Sequence, residues 1–246
     1  MSQSFKNKIF KQIRLSPVFL FLGFIFLSCS KDEPVELEFS EHQETVISYF
    51  KEIALGFEFG NASKITRKWK TNMQIFVGGE KNQSLMNELN AIITEINDLA
   101  SDGFTMSITQ DSLNSNYYIF FGSSTDYGKL FPSSASLAES NWGLFNVYWN
   151  SNQQLNRGRM YVDIVRADLT EQKHLLREEL TQSLGLARDS NRFSDSIFQQ
   201  SWTRTNEYAE IDKDLIRLLY HQEMKVGLNE TAVDPVLRKL VKDIPI

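Results

Sequence analysis

From His174 to Asp189 the sequence reads HLLREELTQSLGLARD, and this stretch leaves the chain fewer choices than any other. At about 100° per residue His174, Glu178 and Gln182 stack one turn apart on one side of a helix, while Leu176 and Leu180 point roughly the other way. Gly185 stops the periodic run where a left-handed residue redirects the chain. No other segment is as dense in side chains that can do chemistry. Three readings of Glu178, Glu179 and Gln182 are open. They form a solvated face with Arg177 and Arg188 as ion partners, or a buried polar network joining the helix to the segment around Asp189 and Ser196, or a working site. A working site would be a glutamate-based hydrolase, or an oxygen-rich metal site in which Glu178, Gln182 and Asp189 suit a hard divalent ion such as calcium, magnesium or manganese. His174 would pair with the Glu178 carboxylate or support such an ion. No other cofactor is expected, and the simplest expectation is none at all.

The start of the chain predicts an address. Lys6, Lys8, Lys11 and Arg14 precede an apolar run from Leu15 to Leu27, as in a secretory signal, and the run is shorter than the ~20 residues a membrane-spanning helix needs. It ends in Leu27-Ser28-Cys29, which resembles the lipobox of bacterial lipoproteins. Residues 1–28 are therefore expected to be a signal peptide, and 29–41 a lipidated Cys29 followed by a flexible tether around Pro34. Lipid on Cys29 would make the membrane a partner. The acidic start Ser30-Lys31-Asp32-Glu33 resembles the lipoprotein export signal described for Bacteroidetes, which implies the bacterial outer membrane and its outer face. Cys29 is the only cysteine, so an intrachain disulfide and a thiolate metal cluster are both excluded.

The signal holds four of the 26 basic residues and none of the 31 acidic ones, so 22 against 31 remain, a formal charge of −9. That balance argues against nucleic acid as a partner, which requires a basic footprint. A content of 12% aromatic and 41% hydrophobic residues argues for a folded body over residues 42–246.

Periodicity predicts a helix from Gln43 to Phe59, a strand from Trp69 to Val77 ended by Gly78-Gly79, and a regular amphipathic helix from Leu85 to Leu99 capped by Asn82. Strands are expected at Phe104–Thr109, Asn116–Gly122, Trp142–Trp149 and Arg157–Val165. The polar, serine-rich stretch from Ser123 to Ser140 reads as loop. Helices follow at the C-terminal end. The aromatics of Tyr117–Phe121 and Trp142–Trp149 suit core packing, or a groove for a protein or glycan ligand. Partial segregation of strands and helices argues for an α+β fold.

Glu178 to Asp189 resembles the metzincin motif His-Glu-x-x-His-x-x-Gly-x-x-His. Together with Ser196-Ile197-Phe198 and the set Asp212, Leu215, Leu219 and Tyr220, it resembles the DUF2927 group of bacterial lipoproteins, a family of unknown function grouped with zincin-like folds. The resemblance covers roughly Met73 to Gly227. It implies a single zincin-like (metzincin-like) α+β domain, with a mixed sheet, a long helix and a degenerate active-site helix. Glu178, Gln182 and Arg188 stand where that motif places its zinc-binding histidines. An amide oxygen is a weak zinc ligand and a guanidinium none. Glu179 keeps the general-base position and Gly185 the turn, while no methionine stands near Ser196-Ile197-Phe198. The implied protein is a lipid-anchored envelope or surface protein that has lost its zinc ligands and acts by binding. The alternative is a metal-dependent hydrolase or peptidase with Glu178, Gln182 and Asp189 as ligands and Glu179 as base.

Overall fold

A computed structural model describes residues 39–244. Cys29, the signal and most of the tether lie outside the described residues. In chain order the elements are α1 (Glu41–Ala54), β1 (Met73–Gly79), α2 (Gln83–Leu99), β2 (Met106–Ile108), β3 (Tyr117–Gly122), α3 (Ser124–Leu130), α4 (Ala135–Ser140), β4 (Gly143–Trp149), β5 (Leu155–Asp163), α5 (Leu169–Gln182), α6 (Glu210–Leu219) and α7 (Glu230–Asp243). The fold is mixed α+β. Its sheet runs in the order β2-β1-β3-β5-β4, parallel except for β4, which pairs antiparallel with β5 at one edge.

The α2 helix forms for the reason its sequence suggests. Asn82 caps it by accepting from the Leu85 amide at 2.8 Å, and Leu85, Leu89, Ile92, Ile93 and Ile96 are buried on one face. The predicted first helix is shorter than its periodicity suggests. It ends at Ala54, and Gly56, at φ +106°, turns the chain so that Phe57 bridges to Ala187. The strand expected from Trp69 begins only at Met73 and runs on to Gly79. Trp69 instead makes an isolated bridge to Leu155, and its indole Nε1 donates to the Ser183 carbonyl at 2.9 Å.

The expected loop from Ser123 to Ser140 is mostly helical. Ser123 accepts from the Asp126 amide at 3.1 Å to start α3, a 3-10 turn follows at Pro132–Ser134, and α4 completes the segment. Its composition is polar, but Tyr127 and Ala138 are fully buried against Phe120, Leu144 and Tyr161 in a second apolar cluster. Tertiary burial overrides weak local propensity here. The aromatics divide in the same way. Tyr117, Ile119 and Phe121 point into the main core, whereas β4 is an edge strand whose Trp149 stays partly exposed.

Helix α5 begins five residues before His174. Asp168 accepts from the amides of Thr170 and Glu171 at 2.9 and 3.1 Å, and Glu171 accepts from the Asp168 amide at 2.8 Å, a reciprocal cap. The helix is buried on both sides. Leu176 and Leu180 lie in the core, and Arg177 is buried against α2, donating to Glu88 at 2.7 Å and Glu95 at 3.1 Å. The solvated-face expectation is corrected at this point. Neighbours along a helix do not face one another, so Arg177 points away from Glu178 toward carboxylates one helix over.

Candidate functional site

Where α5 passes beneath the edge strand β4, a cleft of about 830 Å³ opens. Glu178, Glu179, Gln182, Asp189 and Glu58 line it, as do the aromatic rings of Phe57, Trp142, Phe145, Trp149 and Trp202. Helical spacing delivers the first three. Asp189 arrives because Gly185, at φ +114°, folds the chain back after the helix. Glu58 arrives through the Phe57–Ala187 bridge, its amide donating to the Ala187 carbonyl at 3.1 Å.

The expected polar network exists in part. Gln182 donates from Nε2 to Asp189 Oδ1 at 2.5 Å, which ties the helix to the returning chain. Ser196 does not join it. Its hydroxyl donates to Asp212 at 2.6 Å and meets the Tyr49 hydroxyl at 3.0 Å, and Asp212 also accepts from the amides of Ile197 and Ala209 at 2.9 and 3.0 Å. That cluster pins the start of α6 from the other side of the core. Burial pushes the Asp212 carboxyl up to about 6 against the pull of these donors.

His174 is buried in the helix and donates from Nδ1 to the Thr205 carbonyl at 2.7 Å. That bond leaves Nε2 free to accept, and Nε2 lies 3.3 Å from the Thr203 hydroxyl and 3.4 Å from Glu178 Oε2. Burial lowers the pKa of the ring, so the imidazole stays neutral. It therefore offers Glu178 a proton acceptor and no positive charge. Glu179 lies against the first residue of β4, where a Cβ on Gly143 would come within 2.5 Å of its Oε1. Glycine at this point makes room for the carboxyl. Among the described residues no hydrogen-bond donor reaches the Glu179 carboxyl.

The electrostatic result is a site rich in carboxyl groups and poor in cations. Desolvation raises the pKa of Glu178 well above the usual carboxylate range, and the neighbouring Glu179, Asp189 and Glu58 raise it further. Glu179 is raised in the same way, first by burial and then by Asp189 and Glu58. Burial also raises Asp189, partly opposed by the Gln182 bond, and raises Glu58. At neutral pH the cluster holds protons that exposed carboxylates would have released, so the cleft presents carboxylic acid O–H donors beside carboxylate acceptors.

The metal fit follows from the same geometry. Zinc asks for imidazole, thiolate or carboxylate donors converging in a tetrahedron. Position 182 instead holds an amide, whose oxygen is a weak zinc ligand and whose N–H donates to Asp189, and position 188 holds a guanidinium, which is none. The residues at the motif positions do not fit a zinc centre. Among the described residues no group of three or more His, Cys, Asp and Glu is placed to hold a metal ion.

Two cleft residues had no local sequence signal. Glu58 belongs to a bridge between distant segments. Trp202, 55% exposed, sits in a loop, its ring edge-on to Trp142 at 5.2 Å and to His174 at 6.2 Å. The family described as "Protein of unknown function (DUF2927)" matches residues 43–239. No curated protein matches the chain.

Proposed function

We propose, for a chain that belongs to the DUF2927 family, a binding role: a zincin-like body, held by lipid on Cys29 at the bacterial outer membrane, that takes a protein or glycan ligand in the acidic, aromatic-walled cleft. The observation that carries this reading is the cleft itself, where the rings of Phe57, Trp142, Phe145, Trp149 and Trp202 face the carboxyl groups of Glu58, Glu178, Glu179 and Asp189. The zincin-like reading is supported by the motif helix lying beneath a mixed sheet whose one antiparallel strand borders the cleft. The aromatic walls suit the flat faces of sugars or the side chains of a peptide, and the carboxyl floor supplies both donors and acceptors for their polar groups.

Arrays of glycans and peptides probed with the purified chain test this role. A ligand found there is expected to change the tryptophan fluorescence, and Trp202→Ala to weaken it roughly tenfold, in line with loss of an aromatic anchor. Near-stoichiometric divalent metal in the purified protein, lost on Glu178→Ala, would overturn it.

A second reading keeps one observation. Glu179 lies in the cleft without a donor and with a raised pKa, which is what a general base or acid working near neutral pH requires. A metal-dependent hydrolase using Glu178, Gln182 and Asp189 as ligands would therefore lose turnover on Glu179→Gln while keeping its metal. Anchoring has its own check. Cys29→Ala is expected to move the protein from the membrane fraction to the soluble fraction, and retention in the membrane would count against lipidation.

A further inference from the structure

A second concavity, about 320 Å³, lies over the strand pair β3 and β5 and shares no lining residue with the acidic cleft. Two guanidiniums line it. Arg157 and Arg159 are two apart on one strand, so their side chains leave the same face of the sheet. Tyr148 stands opposite Arg157 across the β4–β5 pair, and Tyr118 stands opposite Arg159 across the β3–β5 pair. The Arg157 guanidinium lies 5.2 Å from the Tyr148 ring centre, and that of Arg159 lies 4.4 Å from the Phe131 ring centre.

What these arginines lack is an anion. Arg159 donates to the Tyr148 hydroxyl at 2.9 Å and to the Ser134 hydroxyl at 3.3 Å, both neutral acceptors, and its buried Nε has no acceptor. Among the described residues neither guanidinium lies within 4 Å of a carboxylate. Six other arginines are paired, among them Arg166 with Asp163, Arg177 with Glu88 and Glu95, and Arg238 with Glu44 and Asp234, whereas Arg67 and Arg188, which lie apart from each other in the sequence, have no carboxylate within 4 Å among the described residues. In a chain with 31 acidic residues, two adjacent cations left without one mark a place where the counter-ion comes from outside.

We propose that this concavity binds a phosphate monoester carried on a small apolar or aromatic group. The phosphate meets the two guanidiniums, and the organic group lies against Tyr118 and Phe131. Guanidinium forks match phosphate oxygens in pairs. A monoester carries close to two negative charges at pH 7, which balances two arginines where a carboxylate would leave one uncompensated. The rings that hold the guanidiniums in place restrict their motion before the ligand arrives, so less entropy is lost on binding.

Calorimetric titration of the full-length chain with phenyl phosphate tests the site. Saturable binding in the submillimolar range is expected, with benzoate weaker by about tenfold. Arg157→Ala, at an exposed position where folding is not at stake, is expected to weaken phenyl phosphate at least tenfold without moving the melting temperature. Arg159→Lys retains a charge and loses the fork, and is expected to weaken it several-fold. Affinity should also fall as the pH drops below about 6, where the monoester takes up its second proton. Dihexanoyl phosphatidic acid, a water-soluble lipid monoester, distinguishes the sources. Tighter binding than phenyl phosphate assigns a lipid headgroup, and weaker binding assigns a soluble ester. No saturable phenyl phosphate binding, or equal affinity in wild type and Arg157→Ala, overturns the proposal.

Discussion

Glu179→Gln is expected to make the protein more stable at pH 8, by about 1–3 kcal/mol, the range for relieving a buried group of an unpaired charge. For a chain of this size that corresponds to a rise in melting temperature of roughly 2–12 °C. The sign follows from linkage. Glu178, Glu179, Asp189 and Glu58 all have folded-state pKa values raised above their unfolded ones. Over the range between, the native state binds more protons than the unfolded state, so stability falls as pH rises. Wild-type melting temperature is therefore expected to climb as the pH is lowered from about 8.5 to 6.5.

His174 works in the opposite direction. Its folded pKa is depressed, so its contribution is lost as the pH falls below about 6.5 toward that value. Carboxylates with lowered pKa, such as Asp163 and Asp234, stay ionised in both states until the pH approaches about 4. The interval from 6.5 to 8.5 is consequently where the cleft carboxyls are read most cleanly. Glutamine at 179 keeps the shape and removes the charge, so the slope should shrink along with the gain in stability. Melting curves across this interval for both proteins are the check. An unchanged slope in Glu179→Gln would mean that Glu179 is not among the carboxyls that take up protons in this interval.

Stability given up in this way bears on function. A half-buried carboxyl with no donor is retained at a thermodynamic cost, and such costs concentrate where a site must meet something other than its own chain. The same reasoning separates Glu179 from Asp212. Asp212 is more deeply buried and equally raised in direction, but three donors satisfy it and it holds α6 to the core. One carboxyl has its partners inside the fold, and the other has none among the described residues.

The parts of the fold that could be read from sequence are those in which one period governs many residues. Helix α2 is legible because its apolar face repeats over four turns and its cap is an asparagine. Helix α5 is legible in its middle and at Gly185, while its start was hidden. The Asp168 and Glu171 spacing is a capping signal, but it precedes a first turn with no apolar stripe. Helices α3 and α4 are seven and six residues long, too short for a period to stand out, and they exist because Tyr127 and Ala138 fill a space between β3, β4 and β5. The site divides along the same line. Glu178, Glu179 and Gln182 follow from 3.6 residues per turn, whereas Glu58 and Trp202 depend on which loops the core brings together, and no local spacing encodes that.

Gly185→Ala is expected to be the most damaging single-methyl change in the motif. The residue sits at φ +114°, which side chains other than glycine rarely adopt, and a Cβ there would lie 2.0 Å from the Arg67 carbonyl oxygen. Conformational strain at such a residue costs on the order of 1–3 kcal/mol. The clash adds to this because the neighbour is backbone and cannot rotate away. Arg67 is itself fixed, donating to Gln153 and to the Ser63 carbonyl, and its guanidinium lies 4.5 Å from the Trp149 ring centre at the rim of the cleft. Pushing the 185 turn outward would therefore shift Asp189 away from Gln182 and disturb the aromatic wall together. A loss of roughly 3 kcal/mol or more is expected, about 6–12 °C in melting temperature, along with loss of whatever binding the cleft supports. Gly227→Ala is the control. It also has a positive φ, of +83°, but nothing lies within 4 Å of its added Cβ. Thermal melts of the two variants separate conformational strain, present in both, from the collision with Arg67, present in one. Equal losses would mean that the close approach of the 185 turn to Arg67 is not what holds Asp189 in the cleft.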